Sequence, residues 1–193
     1  MTTPEPDAAL AATWRSLAEA TTRRTAWTLA ALATVDGTGA PSLRSVILRD
    51  CDPDAGTVAF ATDARSAKVA QIETAPRVAM TFWDDGTGVQ VRLVGRAAPV
   101  GDTERRARWA ELGARSRRGY GSQAVPGTPV VPGTPSAPGD GPDEPDEDRG
   151  FDRFAWIEVR VDRIDRLDIS TDPHERTVLT RTDQGWSGAR VVP

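Results

Sequence analysis

Residues 56–83 have the sequence GTVAFATDARSAKVAQIETAPRVAMTFW, and the fold is predicted from this stretch outward. Its two ends, GTVAFATD and RVAMTFW, are short apolar runs with β-branched and aromatic residues, which is typical of strands. Between them, Val69 and Ile72 have the spacing of one helix face, and Pro76 ends that helix. The stretch therefore predicts a strand, a short helix and a second strand.

Three more predicted strands flank this stretch. Residues 27–35 (WTLAALATV) and 42–50 (SLRSVILRD) form the two strands of a hairpin around a glycine-rich turn. Residues 88–100 (GVQVRLVGRAAPV) form another strand after the Asp85-Gly86 turn. Five strands interrupted by one short helix favour a closed antiparallel barrel. The predicted fold class is α+β, mainly β, with helices flanking an antiparallel barrel.

The two ends of the chain supply the remaining predicted elements. Residues 7–24 and 101–118 have helical character, the first with apolar residues at three-four spacing. Apolar and polar residues alternate over 154–170, which predicts a long strand, and residues 176–192 are predicted to form a hairpin. We expect these three C-terminal strands to close the barrel. The 193 residues suit one hydrophobic core, so residues 1–193 are predicted to form a single domain.

Residues 119–150 differ in composition from the rest of the chain. They contain seven of the 15 prolines, and VPGTP occurs at both 125–129 and 131–135. Such proline density opposes any packed element, so the segment is predicted to be a Pro/Gly-rich, acidic, disordered loop. A lid over a site is the alternative, and it concerns only the start of the segment.

Charge and composition exclude several classes of function. The net charge is -4, but six acidic residues lie within residues 140–150, and the remainder is nearly balanced. No broad basic face is evident, so we expect no nucleic-acid partner. No apolar run approaches the ~20 residues of a membrane helix, and no secretion signal is evident at the N-terminus. The protein is therefore predicted to be soluble and cytoplasmic, without a membrane partner.

The cysteine and histidine content restricts the chemistry further. Cys51 is the single cysteine and His174 the single histidine, which excludes Cys-rich zinc sites and multi-histidine metal centres. Cys51 lies between Asp50 and Asp52, whose charges raise the thiol pKa and make a poor nucleophile. No metal site is predicted, and no conventional nucleophile stands out.

One group of polar residues indicates an anion site. Thr62 ends a predicted strand, Asp63 or Ser66 could cap the next helix, and a helix N-terminus attracts anions. Lys68, the one lysine of the chain, adds a point charge, and Arg44 adds a planar guanidinium. Such a set suits a phosphorylated ligand. The alternative is that Arg44 and Lys68 are ordinary surface charges.

Three ordered blocks resemble a known family. RSVILRD (44–50), the stretch 56–83 and VQVRLVGRA (89–97) are similar to the core of the pyridoxamine 5'-phosphate oxidase family, the FMN-binding split barrels. PHER at residues 173–176 is similar to the His-Asp-Arg of that family. The resemblance is closest to the divergent branch often called Alr4036-like.

The resemblance implies an FMN cofactor and a set of site residues. Arg44, Thr62, Ser66 and Lys68 would hold the phosphate, and backbone groups of Val46 and Ile47 would lie near the isoalloxazine ring. Gln90 would bond to that ring, Arg176 would approach it from the C-terminal end, and His174 would contact substrate. The full cofactor set implied is Arg44, Ser45, Val46, Ile47, Leu48, Arg49, Ala61, Thr62, Ser66, Lys68, Gln90 and Arg176.

The resemblance also implies a function and an assembly. Hydride chemistry would belong to the flavin, which explains the lack of a nucleophile or acid–base pair. Ala61, Ala67 and Leu167 depart from the family pattern, so FMN binding is expected but the substrate is left open. We expect an FMN-dependent oxidoreductase acting on a small molecule and a homodimer with FMN between its subunits. The alternative is a non-catalytic or redox-sensing protein that binds flavin, deazaflavin or haem.

Overall fold

The structure, a computed structural model, describes residues 6–129 and 147–193. The strands in these ranges are β1 (Leu29–Val35), β2 (Pro41–Asp52), β3 (Thr57–Asp63), β4 (Arg77–Asp84), β5 (Val89–Pro99), β6 (Phe154–Asp168), β7 (Glu175–Thr182) and β8 (Gly185–Val191). The helices are α1 (Pro6–Thr22), α2 (Ala67–Thr74), α3 (Asp102–Glu111), α4 (Ala114–Arg118) and α5 (Glu147–Arg153). Within the described ranges, no helix is both long enough and apolar enough to cross a membrane.

Six of these strands close into an antiparallel barrel. They follow the order β3-β2-β1-β4-β5-β6, and a further pairing of β3 with β6 closes the ring. The mainly β barrel with flanking helices confirms the predicted fold class. The expectation that three C-terminal strands close the barrel was wrong, because β6 alone does so. Its 15 residues pair with β3 near one end and with β7 near the other, so β7 and β8 extend the sheet outside the ring.

The barrel core forms because apolar residues alternate along each strand. In β4, for example, Val78, Met80 and Phe82 are buried while the residues between them are more exposed. Helix α1 adds Trp14 and Leu17 to the same core, and its observed bounds lie close to the predicted 7–24. The predicted short helix after β3 is confirmed as α2.

Two bulges interrupt the regular pairing of the barrel. Between β2 and β3 the register shifts from Leu48 to Asp50, so Arg49 is the extra residue. Between β5 and β6 it shifts at Val94 and Gly95. Sequence spacing does not reveal either shift, because both depend on the partner strand.

A second apolar cluster lies outside the barrel against β3 and β6. Trp109, Phe151, Phe154 and Trp156 form it with Ala59, and Tyr120 packs against it. The helical character predicted for residues 101–118 is divided between two helices, because the chain turns out of α3 at Leu112 and restarts as α4. Leu112 is extended and packs against this cluster. Its side chain is partly buried there.

The described ends of the predicted loop 119–150 contact the rest of the chain or form a helix. Arg153 Nη1 donates to the carbonyl oxygens of Gly121 at 2.9 Å and Ser122 at 2.8 Å. Arg65 donates to the carbonyl oxygens of Ser122, Gln123 and Ala124. At the other end, α5 begins within the predicted loop. Residues 130–146 lie outside the described residues, so the prediction of disorder stands there only as a prediction.

Candidate functional site

Helix α2 lies at one end of the barrel and meets Arg44 there. Arg44 Nη2 donates to Gln71 Oε1 at 2.9 Å, and its guanidinium also donates to Thr34 and Ser42. Thr34 Oγ1 in turn donates to Gln71 Oε1 at 2.6 Å. These bonds tie β1, β2 and α2 together. We call this end of the barrel, defined by Arg44, Thr62, Ser66 and Lys68, the mouth.

Lys68 reaches the same mouth from the first turn of α2. Its Nζ donates to Thr62 Oγ1 at 2.8 Å and to Ser66 Oγ at 3.2 Å. Thr62 and Ser66 are both buried, so their hydroxyls hold the ammonium group at the edge of the core. The structure therefore brings together Arg44, Thr62, Ser66 and Lys68, the four residues predicted to form the phosphate site.

The mouth is positively charged without an internal counter-ion. Among the described residues, neither Arg44 nor Lys68 forms a salt bridge with a carboxylate. Burial lowers the pKa of Arg44. Burial and then repulsion by Arg44 lower the pKa of Lys68, against a smaller opposite effect from Asp63. Asp63 itself is paired with Arg65 at 2.7 Å. An anion placed between two such cations would stabilise the charged form of both.

The N-terminus of α2 adds to the positive electrostatic potential of the mouth. Ser66 occupies the N-cap position, but its hydroxyl donates to Asp63 O at 2.7 Å and does not cap the first turn. The expectation that a side chain of Asp63 or Ser66 caps this helix was therefore wrong for Ser66, while Asp63 accepts from Arg65. An uncapped first turn leaves N–H groups that suit an anion.

A second group of predicted residues lies elsewhere, on the outer face of the barrel. Gln90 in β5 pairs with Leu167 in β6, which pairs with Arg176 in β7, so the three form a cross-strand row. Arg176 makes a bidentate contact with Asp165, with Nε–Oδ1 at 2.9 Å and Nη2–Oδ2 at 2.8 Å. Arg92 donates to the same carboxylate.

Asp165 is 5% exposed, and its contact with Arg176 contributes most to lowering its pKa, to about 2. Arg176 is thus held by a carboxylate, whereas the cations of the mouth are not.

The remaining predicted residues take several positions. Val46 and Leu48 are buried in the core, whereas Ile47 is 43% exposed and faces outward with Ser45. Arg49 is the exposed bulge residue, and its charge lowers the pKa of Tyr120 against the larger effect of burial, which raises it to about 12. The structure does not place these side chains together at the mouth.

Two other predicted residues lie away from the mouth as well. Ala61 packs against the outer aromatic cluster, on the face of β3 opposite Thr62. His174 is exposed in the loop before β7. Cys51 has its pKa raised to about 12, by burial first and then by Asp50 and Asp52, which agrees with the sequence prediction of an unreactive thiol.

Sequence reasoning missed the residues that hold Arg44 and Arg176. Thr34, Ser42 and Gln71 all bond to Arg44, and Asp165 holds Arg176. One signal was present for Gln71, because it lies three residues after Lys68 and so shares its helix face. Asp165 gave no signal, since it lies among alternating charges that resemble a solvated strand face.

Known proteins resemble this chain in sequence and in structure. The family profile described as pyridoxamine 5'-phosphate oxidase matches residues 18–167. A pyridoxine/pyridoxamine 5'-phosphate oxidase from Caulobacter vibrioides is 30% identical over 172 residues, covering 84% of this chain and 74% of that protein. The protein of the same name from Anaeromyxobacter dehalogenans is 40% identical over 77 residues, covering 40% of this chain and only 38% of that protein.

The fold comparison extends over the whole chain. The crystal structure of a pyridoxamine 5'-phosphate oxidase-related, FMN binding protein from Nostoc punctiforme superposes with a TM-score of 0.76 at 26% identity and covers 100% of both chains. The barrel and its cationic mouth thus define a protein of the split-barrel class. The chain belongs to the pyridoxamine 5'-phosphate oxidase family, which typically binds FMN.

Proposed function

We propose that this protein is an FMN-dependent oxidoreductase that acts on a small molecule. The observation that carries the proposal is the mouth, where Arg44 and Lys68 lie close enough to repel each other and neither is neutralised by a carboxylate. The phosphate of FMN carries about two negative charges at neutral pH, which matches two cations. Departures from the family pattern at Ala61, Ala67 and Leu167 support a place in the Alr4036-like branch.

Each residue of the mouth has a separate part in holding the phosphate. The Arg44 guanidinium offers planar N–H donors, the Lys68 ammonium offers a point charge, and Thr62 and Ser66 offer hydroxyls. When bound, FMN supplies a two-electron acceptor. The chain then needs only to bind and orient cofactor and substrate, which is consistent with an unreactive Cys51.

Binding of FMN is tested by titrating apoprotein with FMN and with riboflavin, which lacks the phosphate. Each charge-assisted hydrogen bond contributes about 1.5–3 kcal/mol, so we expect FMN to bind at least about a hundredfold more tightly than riboflavin. Quenching of flavin fluorescence measures both affinities. Equal affinities for the two flavins would contradict the assignment of the mouth to phosphate.

Catalysis is tested separately on the FMN-loaded protein. Small-molecule reductants, with pyridoxamine 5'-phosphate among them, are mixed with it without oxygen, and the flavin absorbance is followed before and after air is admitted. We expect one of them to bleach the flavin at a catalytic rate. Tight FMN binding with no bleaching by any compound favours the non-catalytic alternative.

We further propose that two copies of the chain assemble to complete the site. In the ring of six strands β5 lies three strands from β2 in either direction, so Gln90 and Arg44 are on opposite sides of the barrel. Gln90 also faces outward from β5, away from the buried Val91. A flavin held at the mouth is therefore out of reach of Gln90 in the same chain, whereas a second copy could supply it.

The outer face of the barrel supports such an assembly. Leu29, Leu43, Ile47 and Trp83 are 54%, 70%, 43% and 42% exposed. Leu29 in β1 pairs with Ile47 in β2, and β1 lies beside β4, which carries Trp83 opposite Gln90. A contiguous exposed apolar patch of this kind is typical of protein interfaces. We infer that a second copy covers it.

The Leu43→Asp variant tests this assembly. Burying an unpaired carboxylate in the interface is strongly unfavourable, so we expect a dimer for the parent protein at micromolar concentration and a monomer for the variant. The monomeric Leu43→Asp variant should also bind FMN more weakly than the parent protein. Sedimentation equilibrium measures the assembly, and Val192→Asp, at an 87% exposed position outside the patch, is the matched control. A monomeric parent protein that binds FMN tightly would contradict the proposal.

A further inference from the structure

Gln71 occupies the position in the mouth where a counter-ion would be expected. Its Oε1 accepts from Arg44 Nη2 at 2.9 Å and from Thr34 Oγ1 at 2.6 Å. It also lies one helical turn after Lys68, so it faces the region between the two cations. A glutamate there would form an ion pair with Arg44 at the same distance.

The other partners of the two cations are also neutral. Arg44 donates to hydroxyls of Thr34 and Ser42, and Lys68 donates to hydroxyls of Thr62 and Ser66. Two other partly buried arginines of the described structure are held by carboxylates, Arg65 by Asp63 and Arg176 by Asp165. The mouth differs from these two sites because neutral oxygen atoms orient its cations without cancelling their charge.

We propose that Gln71 is a positioning residue that orients Arg44 while leaving the charge of the mouth available to a phosphate dianion. The neutral amide fixes the guanidinium and joins α2 to β2, and it does not compete with the ligand for Arg44. This inference deepens the proposed function and rests on it for the identity of the ligand. It makes a separate statement about charge, which can be tested without flavin.

The variant Gln71→Glu changes one heavy atom and adds a counter-ion at Arg44. We expect its apoprotein to bind inorganic phosphate and FMN at least about tenfold more weakly than the parent, because the added charge opposes the dianion. The melting temperature of the apoprotein should stay the same or rise, because the new ion pair relieves repulsion between Arg44 and Lys68. If Gln71 had only a structural role, the Gln71→Glu substitution would instead lower that melting temperature.

Three further variants complete the design. Ser42→Asp places a carboxylate at another neutral partner of Arg44 and should have the same effect on phosphate, so it replaces Gln71→Glu if that variant does not fold. Gln71→Met removes the acceptor without adding charge and should weaken phosphate binding less than Gln71→Glu. Gln184→Glu adds one negative charge at an exposed position of the β7–β8 turn and should leave phosphate binding unchanged.

The readout is the shift in melting temperature of each apoprotein with added inorganic phosphate, followed by FMN titration. The inference is supported if phosphate raises the melting temperature of the parent but not that of Gln71→Glu, whether or not FMN binds. If the parent binds phosphate but not FMN, only the proposed function is overturned. Equal phosphate binding by the parent and Gln71→Glu, or none by the parent, overturns the inference.

Discussion

The Gly95→Ala variant is expected to lose about 3 kcal/mol or more of its free energy of unfolding. A Cβ atom at this position would lie 2.1 Å from Arg160 O and 3.1 Å from Val161 Cα. These are backbone atoms of β6 at the bulge with β5, so no side chain can move aside to make room. For a protein of this length, the loss corresponds to a melting temperature lower by about 6–12 °C.

Gly101→Ala is the matched control for this change. Gly101 is the N-cap residue of α3 with φ -68°, and a Cβ there would have no neighbour within 4 Å. Alanine is a poorer N-cap residue than glycine, so this change is expected to cost up to about 1 kcal/mol, well below the loss expected at Gly95. Thermal unfolding followed by circular dichroism compares the two variants. A Gly95→Ala protein as stable as Gly101→Ala would mean that β5 and β6 do not approach as closely as described.

The position of Gly95 shows which part of the fold could be predicted from sequence. The alternation of apolar and polar residues and the proline after α2 are local signals, and they predicted the strands, the short helix and the barrel class. The closure of β3 on β6 and the bulge at Gly95 are long-range pairings. Periodicity describes one strand at a time, so it cannot say which strand closes the ring or where a register shifts.

The candidate site could likewise be predicted from sequence only in part. Arg44 and Lys68 were predicted because unusual cations lay beside short polar residues at a predicted helix start. Thr34 and Gln71, two neutral partners of Arg44, lie in β1 and α2 rather than in β2 and carry no charge to indicate their role. Gln90 and Arg176 were predicted from the resemblance alone, and the structure places them on the outer face, away from the mouth. Sequence order cannot show whether two residues reach one ligand from the same copy or from two copies.

The double variant Arg44→Ala/Lys68→Ala is expected to bind FMN about 10²- to 10⁴-fold more weakly than the parent protein. Each cation offers at least one charge-assisted hydrogen bond to a phosphate, at about 1.5–3 kcal/mol each. The two effects need not add, because the two cations lie in one site and the charge of Arg44 lowers the pKa of Lys68. The affinity for riboflavin, which has no phosphate, should change much less.

Two exposed arginines provide the matched control for loss of charge. Arg23 is 64% exposed and paired with Glu19, and Arg77 is 58% exposed and paired with Asp162, so removing both takes away two exposed cations that are already neutralised by carboxylates. Fluorescence titration with FMN and riboflavin should give a large preference for FMN in Arg23→Ala/Arg77→Ala and almost none in Arg44→Ala/Lys68→Ala. An FMN preference that survives in the mouth variant would place the phosphate elsewhere on the chain.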